Sequence, residues 1–273
     1  MVKEMKPVIY CNFHWQPPLI DRGAQVAIMV DYLIEPCEDF WKAPVRIFIQ
    51  AEPPCVLPDV LSRVLRDQNK FAAILGWHQT LRSCPNAEYY QLSALTRLPD
   101  NYRLVDNKRF GATFLTSAKA WCPGHLLRQE IYNVINGFDG FDVIKLRCAG
   151  QYVDKKDFIG SHQFGIDAEN SRVENYFTEK LTDLCIAKVV PIYCGCPNIA
   201  DFGFDTSGIL TFSSVEDLQG ILHRLTPDTY NQMSDAIEHN FEQAKKWSDK
   251  DLLDRKITEV LNETVHSFSL APA

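Results

Sequence analysis

The chain has 273 residues, of which 46% are hydrophobic and 23% are charged, proportions typical of a globular protein with one large domain or two moderate ones. Its formal net charge of −7, with no run of Lys and Arg, argues against a surface that binds nucleic acid or anionic lipid. No stretch of about 18 apolar residues occurs, so the sequence predicts no transmembrane segment. Any phosphate-binding site must therefore be a local feature.

Nine cysteines are scattered along the chain without a repeated spacing. An odd number of cysteines in a chain of this length favours free thiols over a disulfide framework. The first residues lack the apolar core of a signal peptide. We therefore expect a soluble protein in a reducing compartment such as the cytoplasm.

Short apolar runs alternate with helical patterns over the first hundred residues, and this alternation is typical of parallel β-α-β units. We predict strands at residues 8–11, 25–33, 45–50 and 71–75. The polar stretch after Pro99 resembles the approach to a domain crossing. A first Rossmann-like domain is therefore expected at residues 1–108.

A second series of elements follows, with strands predicted at 110–116, at 142–144, in a run ending at 168, at 189–193 and at 208–212. Helices are predicted near 126–134 and from 179, and apolar residues spaced by three and four between 218 and 247 indicate helices that pack on a core. This series defines a second domain at residues 109–250. Residues 251–273 are expected to form a C-terminal helix and tail that can return to the N-terminal domain. The predicted fold is α/β, with two facing Rossmann-like domains.

The segment from 164 to 197 places a strand, a polar loop, a helix start and another strand close together. Glu169 and Asn170 follow an apolar strand, Thr178 is a suitable N-cap, and Glu179 and Lys180 open a helix. A helix N-terminus offers unpaired amide donors and a positive dipole end, so Lys180 there favours a diphosphate. Since Glu179 can accept hydrogen bonds from ribose hydroxyls, the pattern predicts a nucleotide pocket.

Three blocks in this segment carry a family resemblance: FGIDAENS at 164–171, YFTEKL at 176–181 and PIYCGCP at 191–197. In order and spacing they resemble the signature blocks of the α-1,3/α-1,4-fucosyltransferase family, glycosyltransferase family 10. Upstream, RQEIY at 128–132 is similar to the family's Arg-x-x-x-Tyr helix. IFIQAEPP at 47–54 resembles its strand that ends in a glutamate before a proline-rich turn.

The resemblance implies a GT-B fold in which the N-terminal half binds a glycan acceptor and the C-terminal half binds GDP-fucose. It also implies an inverting reaction that needs no metal and no other cofactor. Glu52 is the candidate base, because it follows a strand whose carboxyl end lies where open α/β sheets bind ligands. Arg128 and Lys180 are the candidate cations for the departing diphosphate.

The remaining donor-site candidates have weaker signals. Glu179 would hold the ribose, Tyr176 the base or a phosphate, and Asn170 the sugar. Glu169 would reach the sugar or support a backbone turn, and Tyr193 would flank the nucleotide or serve as a buried aromatic at a strand end. Aromatic faces stack on sugars, so the candidate acceptor contacts are the loop residues His14, Trp15, Trp77 and His78, although lone residues of these types are often structural.

Each main candidate also has a structural alternative. Glu52 before two prolines can simply end a strand on the surface, and Arg128 can form a salt bridge with Glu130 or Asp139. Asp167 and Ala168 stand where the family carries a small or apolar residue and Phe, so the donor sugar is the expectation most exposed to change. A GT-B enzyme for a different GDP-sugar and a catalytically silent glycan- or nucleotide-binding module remain alternative functions.

Overall fold

The computed structural model of the protein describes residues 8–11, 26–31, 43–138, 140–148, 155–253 and 255–260. The chain divides into two compact units. The first comprises Met1–Leu92 together with Asp249–Ala273, and the second comprises Ser93–Ser248. The domain limits given above, 1–108, 109–250 and 251–273, stay a prediction about which segments fold together.

A five-stranded parallel sheet forms the centre of the first unit. Its strands lie in chain order and are β1 (Val8–Cys11), β2 (Val26–Val30), β3 (Val45–Ile49), β4 (Ala73–Gly76) and β5 (Ala87–Tyr89). In a parallel sheet all carboxyl ends lie along one edge. The residues that follow β2, β3 and β4 are therefore neighbours in space.

Helix α1 (Pro58–Arg66) covers this sheet with Leu61 and Val64, which pack into a core that includes Phe48 and Ile74. Proline is tolerated at its start because the first helical N–H groups have no partner within the helix. The helical residues 251–253 and 255–260 also belong to this unit, and Lys256 Nζ donates to Glu88 Oε2 at 2.6 Å.

The second unit contains another five-stranded parallel sheet. Its strands are β6 (Arg109–Ser117), β7 (Asp142–Cys148), β8 (His162–Ala168), β9 (Val190–Cys194) and β10 (Leu210–Thr211), in the order β10-β9-β8-β6-β7. The chain winds outward from β6 in one direction to β7 and in the other to β8, β9 and β10. Such doubly wound sheets bind ligands at the carboxyl ends of the strands, where the winding direction reverses. Here that switch point lies between β6 and β8.

Helices cover both faces of the second sheet. They are α2 (Pro123–Val134), α3 (Lys156–Ile159), α4 (Glu179–Ile186), α5 (Val215–Arg224), α6 (Pro227–Gln232) and α7 (Ser234–Trp247). One core joins α2 and α5 to Phe164 and Ile166 of β8. A second core joins α4 and α7 to Tyr193 of β9. Burial on both faces explains why these strands read as nearly continuous apolar runs.

The expected pair of parallel Rossmann-like sheets is confirmed. The strand predicted at 142–144 continues to Cys148, whereas the one predicted at 208–212 is only Leu210–Thr211, because Asp205 caps a 3₁₀ turn at Thr206–Gly208. The short strand β5 was missed, since its three residues are only partly buried and show no clear alternation.

No helix in the described part of the chain combines the length and the apolar character that crossing a bilayer requires. Seven cysteines fall within the described residues, and none of these seven is joined in a disulfide. The compartment stays a prediction.

Candidate functional site

The start of α2 is fixed against the loop that follows β8, at the switch point of the second sheet. A Cβ atom added to Gly124 would lie 1.7 Å from the carbonyl oxygen of Glu169. The Gly124 N–H donates to the carbonyl oxygen of Asn170 at 3.1 Å. Glycine is therefore required for this close approach, which brings α2 against the two polar residues predicted to line the pocket.

Arg128 follows Gly124 by one helical turn and lies buried at the same place. Its Nη1 donates to the carbonyl oxygen of Ala168, and its Nη2 donates to Asn170 Oδ1 at 2.9 Å. Of the salt-bridge partners considered above, Asp139 lies outside the described residues. The printed contacts of the guanidinium are with the end of β8, so the planar fork is held at the switch point.

Glu169 is a buried carboxylate that ties the loop after β8 to the start of α4. The Thr178 N–H and hydroxyl donate to its two oxygens at 2.8 Å each, and Lys180 Nζ donates to Oε2 at 3.3 Å. The Tyr193 hydroxyl also donates to Oε1 at 3.3 Å. A buried charge needs such a set of partners to be tolerated. Of the two roles considered for Glu169, the geometry favours support of the turn.

Lys180 lies in the first turn of α4 with its charge held in place. Thr178 is the N-cap, accepting from the Lys180 N–H at 3.3 Å, and its hydroxyl also contacts Lys180 Nζ at 2.9 Å. Burial opposes the charge on Lys180, but Glu169, Glu179 and Asp167 outweigh it and raise the pKa of the ammonium group above its ordinary value. A permanent cation therefore lies beside the amide groups of a helix N-terminus, an arrangement suited to an anion.

Glu179 is held ionised by the cations around it. Arg97 Nη1 lies 3.5 Å and Lys180 Nζ 3.8 Å from Glu179 Oε1. Burial by itself raises the pKa of Glu179, but Arg97, Lys180 and Lys155 outweigh this effect and lower the pKa to about 2. The carboxylate is thus an acceptor at neutral pH, as a ribose contact requires.

Asp167 lies on β8 two residues before Glu169, on the same face of the strand, and pairs in register with Tyr193 of β9. It is 6% exposed, and its Oδ2 is buried with no hydrogen-bond partner among the described residues. Burial and the neighbouring Glu169 raise the pKa of Asp167 to about 7, against the influence of Lys180 and Arg128. Its protonation state therefore changes near neutral pH.

The two tyrosines predicted to contact the donor, Tyr176 and Tyr193, are each 1% exposed. The Tyr193 hydroxyl accepts from the Cys196 N–H at 3.1 Å while donating to Glu169. Burial raises the pKa of this hydroxyl well above its ordinary value, so it stays a donor. The contacts of Tyr193 match the alternative of a buried aromatic at a strand end, where it supports Glu169.

In the first unit, Asp31 fixes the turn that carries Glu52. Its Oδ1 accepts from the Ala51 N–H at 2.7 Å, and its Oδ2 accepts from the Glu52 N–H at 2.9 Å. The Glu52 carbonyl oxygen accepts from Gln50 Nε2 at 3.5 Å. The side chain of Glu52 is only partly buried, which leaves its carboxylate able to meet a ligand.

Burial raises the pKa of Asp31 to about 8, and the charge of Glu52 adds to this shift, while the backbone hydrogen bonds from Ala51 and Glu52 oppose it. Two acidic groups therefore lie at the end of β3, with the buried one held largely neutral below pH 8.

The predicted acceptor residues separate into different environments. Trp77 is buried and its indole N–H donates to the Ala51 carbonyl oxygen at 3.2 Å, so it supports the Glu52 turn from below. His78 is only partly buried, and its Nδ1 accepts from the Thr80 N–H at 3.3 Å. His14 and Trp15 lie outside the described residues.

Two residues near the donor site were missed in the sequence. Arg97 reaches Glu179 from a loop 82 positions earlier in the chain, and its N–H donates to the buried Asp183 carboxylate at 3.0 Å. His125 lies on α2 beside Arg128, and burial together with nearby cations lowers its pKa to about 4. Neither has a local sequence signal, because each is defined by contacts between distant segments.

No group of three or more His, Cys, Asp or Glu residues within the described ranges has an arrangement that could hold a metal ion. The cations described at the switch point are therefore side chains of the protein itself.

Comparison with known proteins adds to this geometry. No family profile matches the chain. The chain is 32% identical over 85 residues to a fucosyltransferase-like protein of Arabidopsis thaliana, a match that covers 29% of this chain and 17% of the relative. It is 27% identical over 96 residues to the α-(1,3)-fucosyltransferase FucT of Helicobacter pylori, covering 34% of this chain and 19% of that protein. A crystal structure of an α1,3-fucosyltransferase superimposes with a TM-score of 0.51 at 19% identity, covering 77% of this chain and 68% of that one.

The chain resembles α-1,3-fucosyltransferases in sequence and in fold. The family resemblance and the GT-B type of fold expected from the sequence are thereby confirmed. The matched segments span less than a fifth of the length of the curated relatives.

Proposed function

We propose that the protein is an inverting glycosyltransferase that moves fucose from GDP-fucose to a hydroxyl of a glycan acceptor. The donor and acceptor classes follow from the resemblance to fucosyltransferases. An α-1,3-type linkage to N-acetylglucosamine or a related sugar is the form of the reaction that the family implies. The proposal requires no metal and no cofactor besides the donor substrate.

The observation that carries this proposal is the cationic cradle at the switch point, defined here as Arg128, Lys180 and the first amides of α4. Lys180 is held by Glu169 and Thr178, and Arg128 is held by Asn170 and the end of β8. Fixed charges of this kind bind a diphosphate without first having to be ordered.

The cradle supports the chemical step through the leaving group. When the bond between the sugar C1 and the phosphate oxygen breaks, negative charge develops on the β-phosphate. Preorganised cations and amide dipoles stabilise this charge more in the transition state than in the ground state, which accelerates the reaction. In the proposal Lys180 acts as a point charge, Arg128 pairs two phosphate oxygens, and Glu179 accepts hydrogen bonds from the ribose hydroxyls.

Glu52 is the proposed base. Its carboxylate removes the proton from the acceptor hydroxyl as that oxygen attacks C1 from the side opposite the departing GDP, so the configuration at C1 inverts. The hydrogen bonds of Asp31 to the Glu52 backbone support this role, because they hold the turn in one conformation. We also propose that His78 contributes to acceptor binding and that Trp77 supports the Glu52 turn.

The remaining donor-site residues have supporting roles in this proposal. Asn170 orients Arg128, Glu169 positions Lys180, and Tyr193 holds Glu169 in turn. Tyr176 lies two residues before the N-cap of α4 and shapes the floor of the nucleotide site.

The test is a GDP-release assay with GDP-fucose over a panel of glycan acceptors, comparing the wild type with Glu52→Gln. Loss of the base should lower kcat by about a hundredfold or more while GDP binding is kept. Glu88→Gln, which changes another carboxylate of the same unit that pairs with Lys256, serves as the control. Unchanged transfer by Glu52→Gln would remove Glu52 from the mechanism.

A different GDP-sugar is a second candidate donor, favoured by the polar Asp167 beside the cradle. Faster turnover of another GDP-sugar in the same assay would replace fucose in the proposal. Tight GDP binding without transfer or hydrolysis on any donor and acceptor would instead indicate a silent binding module.

A further inference from the structure

Asp167 is a buried carboxylate that the proposed reaction does not use. It lies at the end of β8, and the Oδ2 atom has no hydrogen-bond partner among the described residues. A buried polar atom without a partner costs roughly 1–3 kcal/mol of folding free energy. Such an atom in a ligand site indicates a group that finds its partner in the ligand.

The position of Asp167 within the unit is set by the packing of α4 on β8. A Cβ atom added to Gly165 would lie 2.2 Å from Leu184 Cδ2, so α4 covers this face of the strand. Asp167 comes next on the same face and lies towards the N-terminal end of α4. Its carboxylate therefore faces the part of the helix where the cationic cradle begins.

Charged and titratable groups from four elements act on Asp167. They are Glu169 after β8, Glu179 and Lys180 of α4, Arg128 of α2, and Tyr193 and Cys194 of β9. The two cations favour an ionised Asp167, while burial and the two glutamates disfavour it. These opposing effects leave the group evenly balanced between its two protonation states near neutral pH.

A bound diphosphate would change this balance. It would place at least two negative charges in the cradle, and a like charge close to a carboxylate disfavours its ionised form. An ionised Asp167 would therefore repel the ligand that Arg128 and Lys180 attract. A protonated Asp167 would instead offer an O–H donor to a phosphate oxygen.

We propose that Asp167 binds the diphosphate of the donor nucleotide as a neutral carboxyl group. On binding, the carboxylate takes up one proton from the solvent, and its O–H donates a hydrogen bond to a phosphate oxygen. No other bond forms or breaks in this step. The inference rests on the proposed nucleotide site and adds that nucleotide binding is coupled to proton uptake.

The test is isothermal titration calorimetry of GDP binding by the whole chain in buffers that differ in ionisation enthalpy. The wild type is compared with Asp167→Asn, whose amide is neutral at every pH and can donate a similar hydrogen bond. The terminal phosphate of GDP itself titrates near pH 6, to judge from phosphate monoesters with a second pKa of about 6, and the variant corrects for this contribution. At pH 7.5 the wild type should take up roughly 0.5–1 proton per GDP more than the variant.

The affinities give a second and sharper readout. Between pH 7 and 8.5 the Kd of the wild type should rise roughly tenfold relative to that of Asp167→Asn, because the wild type must be protonated at increasing cost. At pH 8.5 the variant should bind GDP more tightly than the wild type. A purely structural role for Asp167 predicts weaker binding by the variant at every pH.

Equal proton uptake by the two proteins, or parallel pH profiles of Kd, would overturn the inference while leaving the nucleotide site intact. Absence of GDP binding by both proteins would overturn the proposed function together with the inference. Asp167→Ser, another neutral donor, is measured in parallel in case the asparagine variant does not fold. Asp217→Asn, which alters an exposed carboxylate of the same unit, should behave like the wild type.

Discussion

The side chains of the cradle hold one another in place, so a single change has effects on both binding and folding. Glu169 accepts from Thr178, Lys180 and Tyr193, and it is the buried charge at the centre of this network. Removing one partner from a buried ion pair leaves the other uncompensated, which is more destabilising than the loss of an exposed pair.

Lys180→Met should therefore impair two properties. Loss of the ammonium group should weaken GDP binding by roughly tenfold to a hundredfold, and the exposed partner charge on Glu169 should lower the free energy of unfolding by about 1–3 kcal/mol. Calorimetric titration and thermal unfolding measure the two effects separately. Lys245→Met, at an exposed position of α7 with an i,i+3 ion pair, is the matched control and should change neither. Wild-type affinity in Lys180→Met would exclude the lysine from the phosphate site.

The buried acids predict the pH dependence of stability. The pKa of Asp31 in the folded protein is about 8, above its ordinary value of 3.8, and that of Asp167 is about 7. The folded state therefore binds more protons than the unfolded state between these limits, so stability falls as the pH rises from about 4 to 8. Glu179 has the opposite sign, and its contribution is lost only as the pH falls below its ordinary value of 4.5.

Asp31→Asn should flatten the decrease in melting temperature between pH 5 and 8, because the variant has no carboxyl group to deprotonate on unfolding or in the folded state. The variant also loses one backbone hydrogen bond at the Glu52 turn, so its melting temperature at pH 5 should be lower. Calorimetric melting at several pH values shows both effects, and Asp59→Asn in the exposed part of α1 serves as the comparison. A slope identical to that of the wild type would contradict the assigned protonation of Asp31.

At the scale of secondary-structure elements, the approach of α2 to the loop after β8 is the feature on which the site depends. The helix brings Arg128 to the switch point only because residue 124 has no side chain. Elsewhere the same substitution is harmless: Gly220, inside α5, has a flexible Arg224 side chain as its nearest neighbour, at 3.3 Å from an added Cβ.

Gly124→Ala and Gly220→Ala should accordingly have opposite effects. The first forces α2 away from the Glu169 backbone and should cost about 1–3 kcal/mol of stability along with most of the GDP affinity. The second adds a better helix former in a helix interior and should stabilise by up to about 1 kcal/mol without changing GDP binding. Thermal unfolding and GDP titration of both variants check this contrast. Equal stability of the two alanine variants would show that α2 can shift without consequence.

At the scale of the whole molecule, the proposed reaction divides its requirements between the two units. Glu52→Gln, in the first unit, should abolish transfer while GDP binding stays within about twofold of the wild type. Lys180→Met, in the second unit, should weaken GDP binding itself. Steady-state kinetics with GDP-fucose beside GDP titration would separate these two classes of defect. Loss of GDP binding in Glu52→Gln would contradict the division.

The sequence predicted the parts of this structure that depend on local patterns. The parallel strands follow from apolar runs buried on both faces of a sheet, and the start of α4 follows from Thr178 as N-cap and the spacing of apolar residues after it. The relation between Glu169 and Thr178 was within reach of sequence reasoning, because only nine residues separate them.

What the sequence did not predict depends on contacts between distant segments. Arg97 reaches Glu179 only because Asp183 anchors the intervening loop, and the burial of Trp77 under the Glu52 turn depends on the pairing of β3 with β4. The strand order that creates the switch point is likewise a property of the folded sheet. Register and winding are not written in any single segment, so neither they nor the raised pKa of Asp167 could be derived from residue patterns.

The central claim is that the cradle of Arg128, Lys180 and the first turn of α4 binds the diphosphate of a guanosine nucleotide. A crystal structure of the protein with GDP tests it most directly. The account predicts the β-phosphate within hydrogen-bond distance of Lys180 Nζ and the Arg128 guanidinium, with the ribose hydroxyls on Glu179. GDP bound in the first unit, or a cradle left empty in crystals saturated with GDP, would contradict it.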